Sequence, residues 1–208
     1  SGAALNVSSN VNKAAFLLTI TNDGVAAING IISGTGGLTK SGAGTLTLGG
    51  LNTYSGNTIV GGGTLRVSGT INGGGTVTVA NGATLDVERA NVTSGKAWNI
   101  SGTVFSGSGF YQTLANLTLN GGTLTGTGSG NSQFGFYTIN SPSSVTATGN
   151  SQIIAPDRFS FQGAANVTFN VVSASDTLTI SSPITNAAST AGLTKTGSGL
   201  LTLNATNA

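Results

Sequence analysis

The 208 residues carry only 12 charged side chains, with a net charge of +2, and neither cysteine, methionine nor histidine. That composition excludes disulfides, thiolate chemistry, imidazole bases and nearly every transition-metal site, and it lacks the basic footprint that nucleic acid or an acidic membrane surface demands. The 38% hydrophobic content, set at alternate positions, still suffices for an ordered core.

In chain order, the first clear unit is Thr45-Leu46-Thr47-Leu48, an apolar residue at every second position flanked by threonine. It recurs as Thr64-Leu65-Arg66-Val67, Thr76-Val77-Thr78-Val79 and Thr84-Leu85-Asp86-Val87, then as Leu117-Thr118-Leu119, Val167-Thr168-Phe169, Thr177-Leu178-Thr179-Ile180 and Leu201-Thr202-Leu203. Period two is the strand period, and it sends leucine and valine to one face and threonine to the other. Gly61-Gly62-Gly63, Gly73-Gly74-Gly75 and Gly121-Gly122 separate the units and read as sharp turns. No segment shows a helical period.

Spacing chooses between a hairpin sandwich and a solenoid. The steps from Leu46 to Leu65 and from Leu65 to Leu85 are nearly equal, too long for hairpins and suited to one winding of a coil. We therefore expect one all-β segment over residues 1–208, a right-handed parallel β-helix (β-solenoid) of about ten coils and ~50 Å length. Its two ends would be open strand edges, liable to stack end to end. Farther along, Phe134-Gly135-Phe136 and Phe159-Ser160-Phe161 repeat the same alternation at a longer step and would stack as an aromatic ladder in a wider coil. Gly130-Asn131-Ser132-Gln133 also recurs as Gly149-Asn150-Ser151-Gln152 at the shorter step, a register that would set Phe134 on Ile153 instead. Both registers stay open, and in either one the aromatics read as core.

Gly37, Leu38, Thr39, Lys40, Gly42, Gly44, Leu46 and Leu48, continuing through Tyr54 and Gly56 to Gly63 and Leu65, resemble the passenger-associated transport repeat of autotransporters, here over residues 34–67. A truncated copy over residues 191–203 repeats Gly192, Leu193, Lys195 and Gly197, with Leu200 in the place of Thr45. The resemblance implies a secreted passenger stalk on a bacterial cell surface, outer-membrane-anchored through a barrel in the parent protein, with the repeat aiding secretion and folding. It identifies a scaffold and leaves the ligand open. On this reading the chain is an excised piece of a longer protein whose export signal has been removed.

Candidate sites are sparse. Lys40 and Lys195 hold equivalent places and read as lysines that cap a turn or solvate an edge. Tyr54 reads as a ring packed on the next coil with its hydroxyl wet. Arg66 and Asp86 should stand side by side on the outer face as an ion pair. Asp86 and Glu88 share a face and are the strongest enzymatic hint, since a glycosidase needs two carboxylates about 5–9 Å apart. Nothing nearby promises the burial that would set one of them apart as an acid. Asp157-Arg158, in the least repetitive stretch, is a candidate surface contact on a loop leaving the coil. No cofactor and no metal are expected. The expected role is structural or adhesive, with a host-surface glycan or protein, or a sister molecule, as partner; no nucleic acid is bound, and this segment does not insert in a membrane. The alternatives are a carbohydrate-active β-helix enzyme and a fibre-forming subunit.

Overall fold

The computed structural model describes residues 4–92, 95–107, 109–127, 137–140, 142–186 and 190–205. Among these residues there is no helix, and every strand pairing is parallel. A typical winding runs from Thr45–Leu48 through the short strand Leu51–Asn52 to Thr58–Val60, turns a glycine corner and re-enters the first face at Thr64–Val67. Stacked windings build three faces: a ten-stranded first sheet, a nine-stranded second sheet, and a third face of short strands, four of them joined in one sheet near the carboxy-terminal half. The ten strands of the first sheet span nine turns of a parallel β-solenoid.

The period-two pattern explains which side chains fill the bore. In Thr45–Leu48 and Thr177–Ile180 the apolar residues are buried and the threonines half-buried. Leu46, Leu65 and Leu85 stand in one ladder, as their even spacing predicts. The same ladder continues through Val104, Leu124, Ile153, Ile180 and Leu203. Each interior Leu, Val or Ile contributes about 1.5–3 kcal/mol by leaving water, so the column is the main source of cohesion.

The corner between the second and first sheets requires glycine at Gly42 and at its counterpart Gly197, where φ is +79° and +73°. At Gly42 a Cβ would also stand 2.4 Å from the carbonyl oxygen of Asn22 in the winding below. A side chain here meets both backbone strain and a wall.

Neither expected register around the phenylalanines holds. Phe159 lies between Tyr137 and Ile184, and Phe161 has Ile139 on one side. Ile153 lies between Leu124 and Ile180. Phe134, Gly135 and Phe136 fall outside the described residues. The place proposed for them belongs to Tyr137-Thr138-Ile139, which has the same inward alternation and pairs the buried Thr138 and Ser160 hydroxyls at 2.8 Å. Of the phenylalanines in the two motifs, Phe159 and Phe161 are described, and both lie in the core. Phe159, Phe161 and Phe169 touch with ring centroids 5.7–6.2 Å apart, and Trp98 meets Tyr137 edge-on at 6.5 Å.

Candidate functional surface

The second sheet turns an uncharged face to solvent. From Thr19 to Thr196 its central outward position is Thr or Asn on eight of nine strands, with Ile59 the exception. Nine strands at the usual inter-strand spacing make a strip about 40 Å long. All the charged residues lie elsewhere. Arg66 and Asp86 occupy the first sheet, Glu88 and Arg89 follow it, and Asp157 and Arg158 stand at the corner leading to the third face. Asp23 and Asp176 stand at corners between the second and first sheets, and the four lysines take positions facing the bore.

Those lysines are the least expected feature. Lys40 is fully buried, and its ammonium donates to the carbonyls of Ser41 at 2.7 Å, Gly42 at 2.9 Å and Gly62 of the next winding at 3.2 Å. It caps a turn from inside the solenoid and solvates no edge. Burial lowers its pKa, with Asp23 partly opposing. Lys195 makes the same local contacts, 2.7 Å to Thr196 O and 2.9 Å to Gly197 O, but remains exposed. Lys13 donates to Gly36 O and Gly37 O and sits 4.7 Å above the Tyr54 ring as a cation–π contact. Lys96 donates to Gly74 O, and burial pushes its pKa down to about 8. Alternation carries the signal for all but Lys13: Leu38 with Lys40, Leu193 with Lys195 and Lys96 with Trp98 are next-but-one neighbours, so each pair shares a side of the chain.

Tyr54 corrects an expectation. Its hydroxyl is not wet: the residue is fully buried and its oxygen lies 2.7 Å from Thr58 Oγ1. Burial raises its pKa against the opposing Thr58 hydrogen bond. Two buried amides were not singled out from the sequence. Asn52 donates to Gly50 O and Thr70 O and accepts from Ile32 N, tying three successive windings together. Gln112 accepts from Val92 N at 3.0 Å and donates to Arg89 O at 2.7 Å.

On the first sheet Arg66 and Asp86 are register partners, with Nε 3.0 Å from Oδ2. The same nitrogen lies 3.5 Å from Glu88 Oε1. One guanidinium therefore stands between the two carboxylates, where a glycosidic oxygen would have to sit. Asp157 and Arg158 pair with each other at 3.3 Å and are partly covered. The carboxyl of Asp176 is held below its usual range by the backbone N–H groups of Ser173 and Gly149. Among the described residues no three His, Cys, Asp or Glu side chains gather to hold a metal, and no helix is long and apolar enough to cross a membrane.

Leu38, Lys40, Leu46, Leu48, Tyr54 and Leu65 all point inward, and Gly37, Gly42, Gly44, Gly56 and Gly63 line the close approaches between windings. This is the geometry of residues 38–67, and the passenger-associated-transport-repeat family matches that segment and residues 193–208. The chain carries autotransporter passenger repeats. Over 136 residues, 63% of its length, the chain is 33% identical to the Adhesin BmaC autotransporter of Brucella suis biovar 1 (strain 1330). The chain spans about 3% of that relative's length. No solved structure matches it.

Proposed function

We propose that this chain is a non-catalytic segment of a passenger stalk on a bacterial cell surface, anchored in the outer membrane through its parent protein, and that it adheres through the uncharged flank of its second sheet. The observation that carries this reading is the strip of Thr and Asn side chains from Thr19 to Thr196, interrupted only at Ile59 and free of charge over nine strands. Such a strip offers hydroxyl and amide groups at the regular inter-strand spacing. Its neutrality favours a neutral partner: a host-surface glycan, a protein face or a sister molecule. Stacked coils also suit export, because each winding folds on the one before it, and on this reading the repeat at residues 38–67 assists secretion.

The test is adhesion of bead-coupled chain to host cells and to a glycan array, comparing the parent with the triple variant Thr39→Lys, Thr78→Lys, Thr118→Lys. The expected result is loss of binding with an unchanged urea midpoint, since all three side chains stand on the outer face. Undiminished binding overturns the choice of flank. Deleting residues 36–67 from the displayed passenger should reduce surface display, and normal display would remove the secretion role. A carbohydrate-active reading gains nothing from Arg66, which occupies the gap between Asp86 and Glu88.

A further inference from the structure

Asn29, Asn72, Asn81 and Asn120 each stand directly before a glycine. A glycine in that place has no Cβ, so it presents the least hindered backbone nitrogen to the asparagine side chain. The four pairs are chemically alike, and the fold separates them. The Gly121 N–H donates to Thr148 O at 2.9 Å and to Ser151 Oγ at 3.1 Å, while Asn120 Oδ1 accepts from Thr148 Oγ1 at 3.0 Å. Gly30 and Gly73 are wedged against a neighbouring winding: a Cβ on either would stand 2.0 Å from Ser9 O or 1.5 Å from Tyr54 O. Asn29 Nδ2 also donates to Asn6 Oδ1, and the Asn72 N–H donates to Asn52 O. In these three pairs the peptide between asparagine and glycine has no freedom to turn.

Asn81-Gly82 juts out of the stack. Below it, the ladder runs from Ala80 N on Val60 O to Thr84 N on Gly63 O and takes nothing from the residues between. Above it, Ser101 N and Gly102 N both donate to Val79 O, and the next bond is Thr103 N to Ala83 O. The turn is closed only at its base, by Ala83 N on Ala80 O at 3.0 Å. Gly102 of the next winding sits on that base, where a Cβ would stand 2.2 Å from Ala80 O and 2.3 Å from Ala83 O. The tip stays outside: Asn81 and Gly82 are exposed, a Cβ on Gly82 would meet nothing within 4 Å, and among the described residues the Gly82 N–H has no acceptor. Gly82 has a φ of +77°, which leaves the tip dependent on glycine.

We propose that Asn81-Gly82 is a self-modification site, at which the folded chain converts one asparagine to aspartate and isoaspartate while it protects Asn29, Asn72 and Asn120. The Gly82 nitrogen attacks Asn81 Cγ and forms the N–Cγ bond of a five-membered imide. The Cγ–NH2 bond breaks, and ammonia leaves with the proton that Gly82 N gives up. Water then opens the ring. Cleavage at Cγ–N gives aspartate, and cleavage at the backbone carbonyl gives isoaspartate; in both, the water oxygen enters the new carboxylate and a proton returns to Gly82 N. The first step needs an unengaged glycine N–H and a peptide free to rotate, and only this pair has both. The product adds a carboxylate at the corner between the second and first sheets and lowers the net charge of +2 by one. Isoaspartate also lengthens the backbone by one methylene, which the turn can absorb because no ladder bond passes through its tip. The site is independent of the adhesive flank, so either reading can fail alone.

The experiment incubates the folded chain, and the same chain unfolded in guanidinium chloride, at one mildly alkaline pH, and follows all four asparagines by peptide mapping with enzymatic methylation of isoaspartate. In the unfolded chain the four should react at comparable rates. In the folded chain Asn81 should stay near its unfolded rate, while Asn120 slows about ten-fold or more, the worth of one backbone hydrogen bond expressed as a rate. Asn29 and Asn72 should slow at least as far. Asn81→Gln should remove the acidic species that ion exchange separates from the folded chain, and that species, isolated from the parent, should keep the parent's urea midpoint. Slowing of Asn81 equal to that of Asn120 would overturn the proposal, and so would the same ranking in the unfolded chain, which would place the preference in the flanking sequence. An acidic species that survives Asn81→Gln, or a lowered midpoint of the isolated product, would overturn it as well.

Discussion

A lysine inside a β-solenoid is at first sight a mistake, because taking an ammonium from water costs several kcal/mol unless its donors are satisfied. Lys40 meets that condition with three carbonyls, none from an acidic side chain. Replacing it by methionine keeps the volume and removes the charge, but leaves the buried carbonyls of the corner short of a donor. The expected net loss is about 1–3 kcal/mol, read as a lowered urea midpoint with an unchanged slope. Lys96 gives the pH counterpart. Its folded pKa of about 8 lies below the ordinary lysine value, so above pH 8 the folded state releases a proton that the unfolded state still holds. Stability should therefore rise from pH 8 toward about 10. Beyond that range buried Tyr54 and Tyr137, whose pKa values are raised by burial, keep protons that unfolded tyrosines lose, and stability should fall. Midpoints at pH 7, 9.5 and 11 check the shape, and Lys96→Met should flatten the rising limb; a limb that survives the substitution would assign it to other groups.

At the scale of strands and corners, glycines with different jobs separate cleanly. Gly42→Ala places a methyl at a φ of +79° and against Asn22 O, so a loss of about 2 kcal/mol or more is expected. Gly61→Ala, in the next corner, meets only Lys40 O at 3.5 Å and Ser41 Oγ at 3.7 Å and should be neutral within about 0.5 kcal/mol. Thermal unfolding of the two variants side by side decides it, and equal losses would mean that corner shape is not the constraint. The same corners explain what the sequence makes legible. Between Leu46 and Leu124 the windings are of nearly constant length, so Leu65, Leu85 and Val104 fall into register from spacing alone. The next step, from Leu124 to Ile153, is markedly longer, and spacing no longer identifies the partner of Phe159. Tyr137 takes that place through inward packing, including a hydroxyl that donates to Thr125 O at 2.7 Å, and no repeat announces it. The candidate surface divides the same way. Outward threonines follow from alternation, whereas the contacts of Lys13 and Lys96, and the third contact of Lys40, depend on which glycine carbonyl of a neighbouring winding comes to lie beside each one, a fact of stacking between distant residues.

For the whole molecule, neighbouring windings support each other and distant ones do not, so stability is close to a sum of coil and nearest-neighbour terms. The interior windings have covers on both sides, while those at Leu5–Val7 and Leu193–Leu203 have one. Leu85, fully buried in the middle of its ladder, should cost about 2–5 kcal/mol when changed to alanine. Leu203, the same ladder's last and partly exposed member, should cost about 1 kcal/mol or less. Amide hydrogen exchange would show the corresponding gradient along the axis: strongest protection from Thr45–Leu48 to Thr103–Ser106, and opening from both ends at lower free energy. Because the outward Thr and Asn strip crosses all these windings, its two extremities would open with the ends while its central part stays rigid. An adhesive flank with that profile keeps its spacing where it is longest covered. Uniform protection from Leu5 to Leu203 would show a single cooperative unit and remove the nearest-neighbour account.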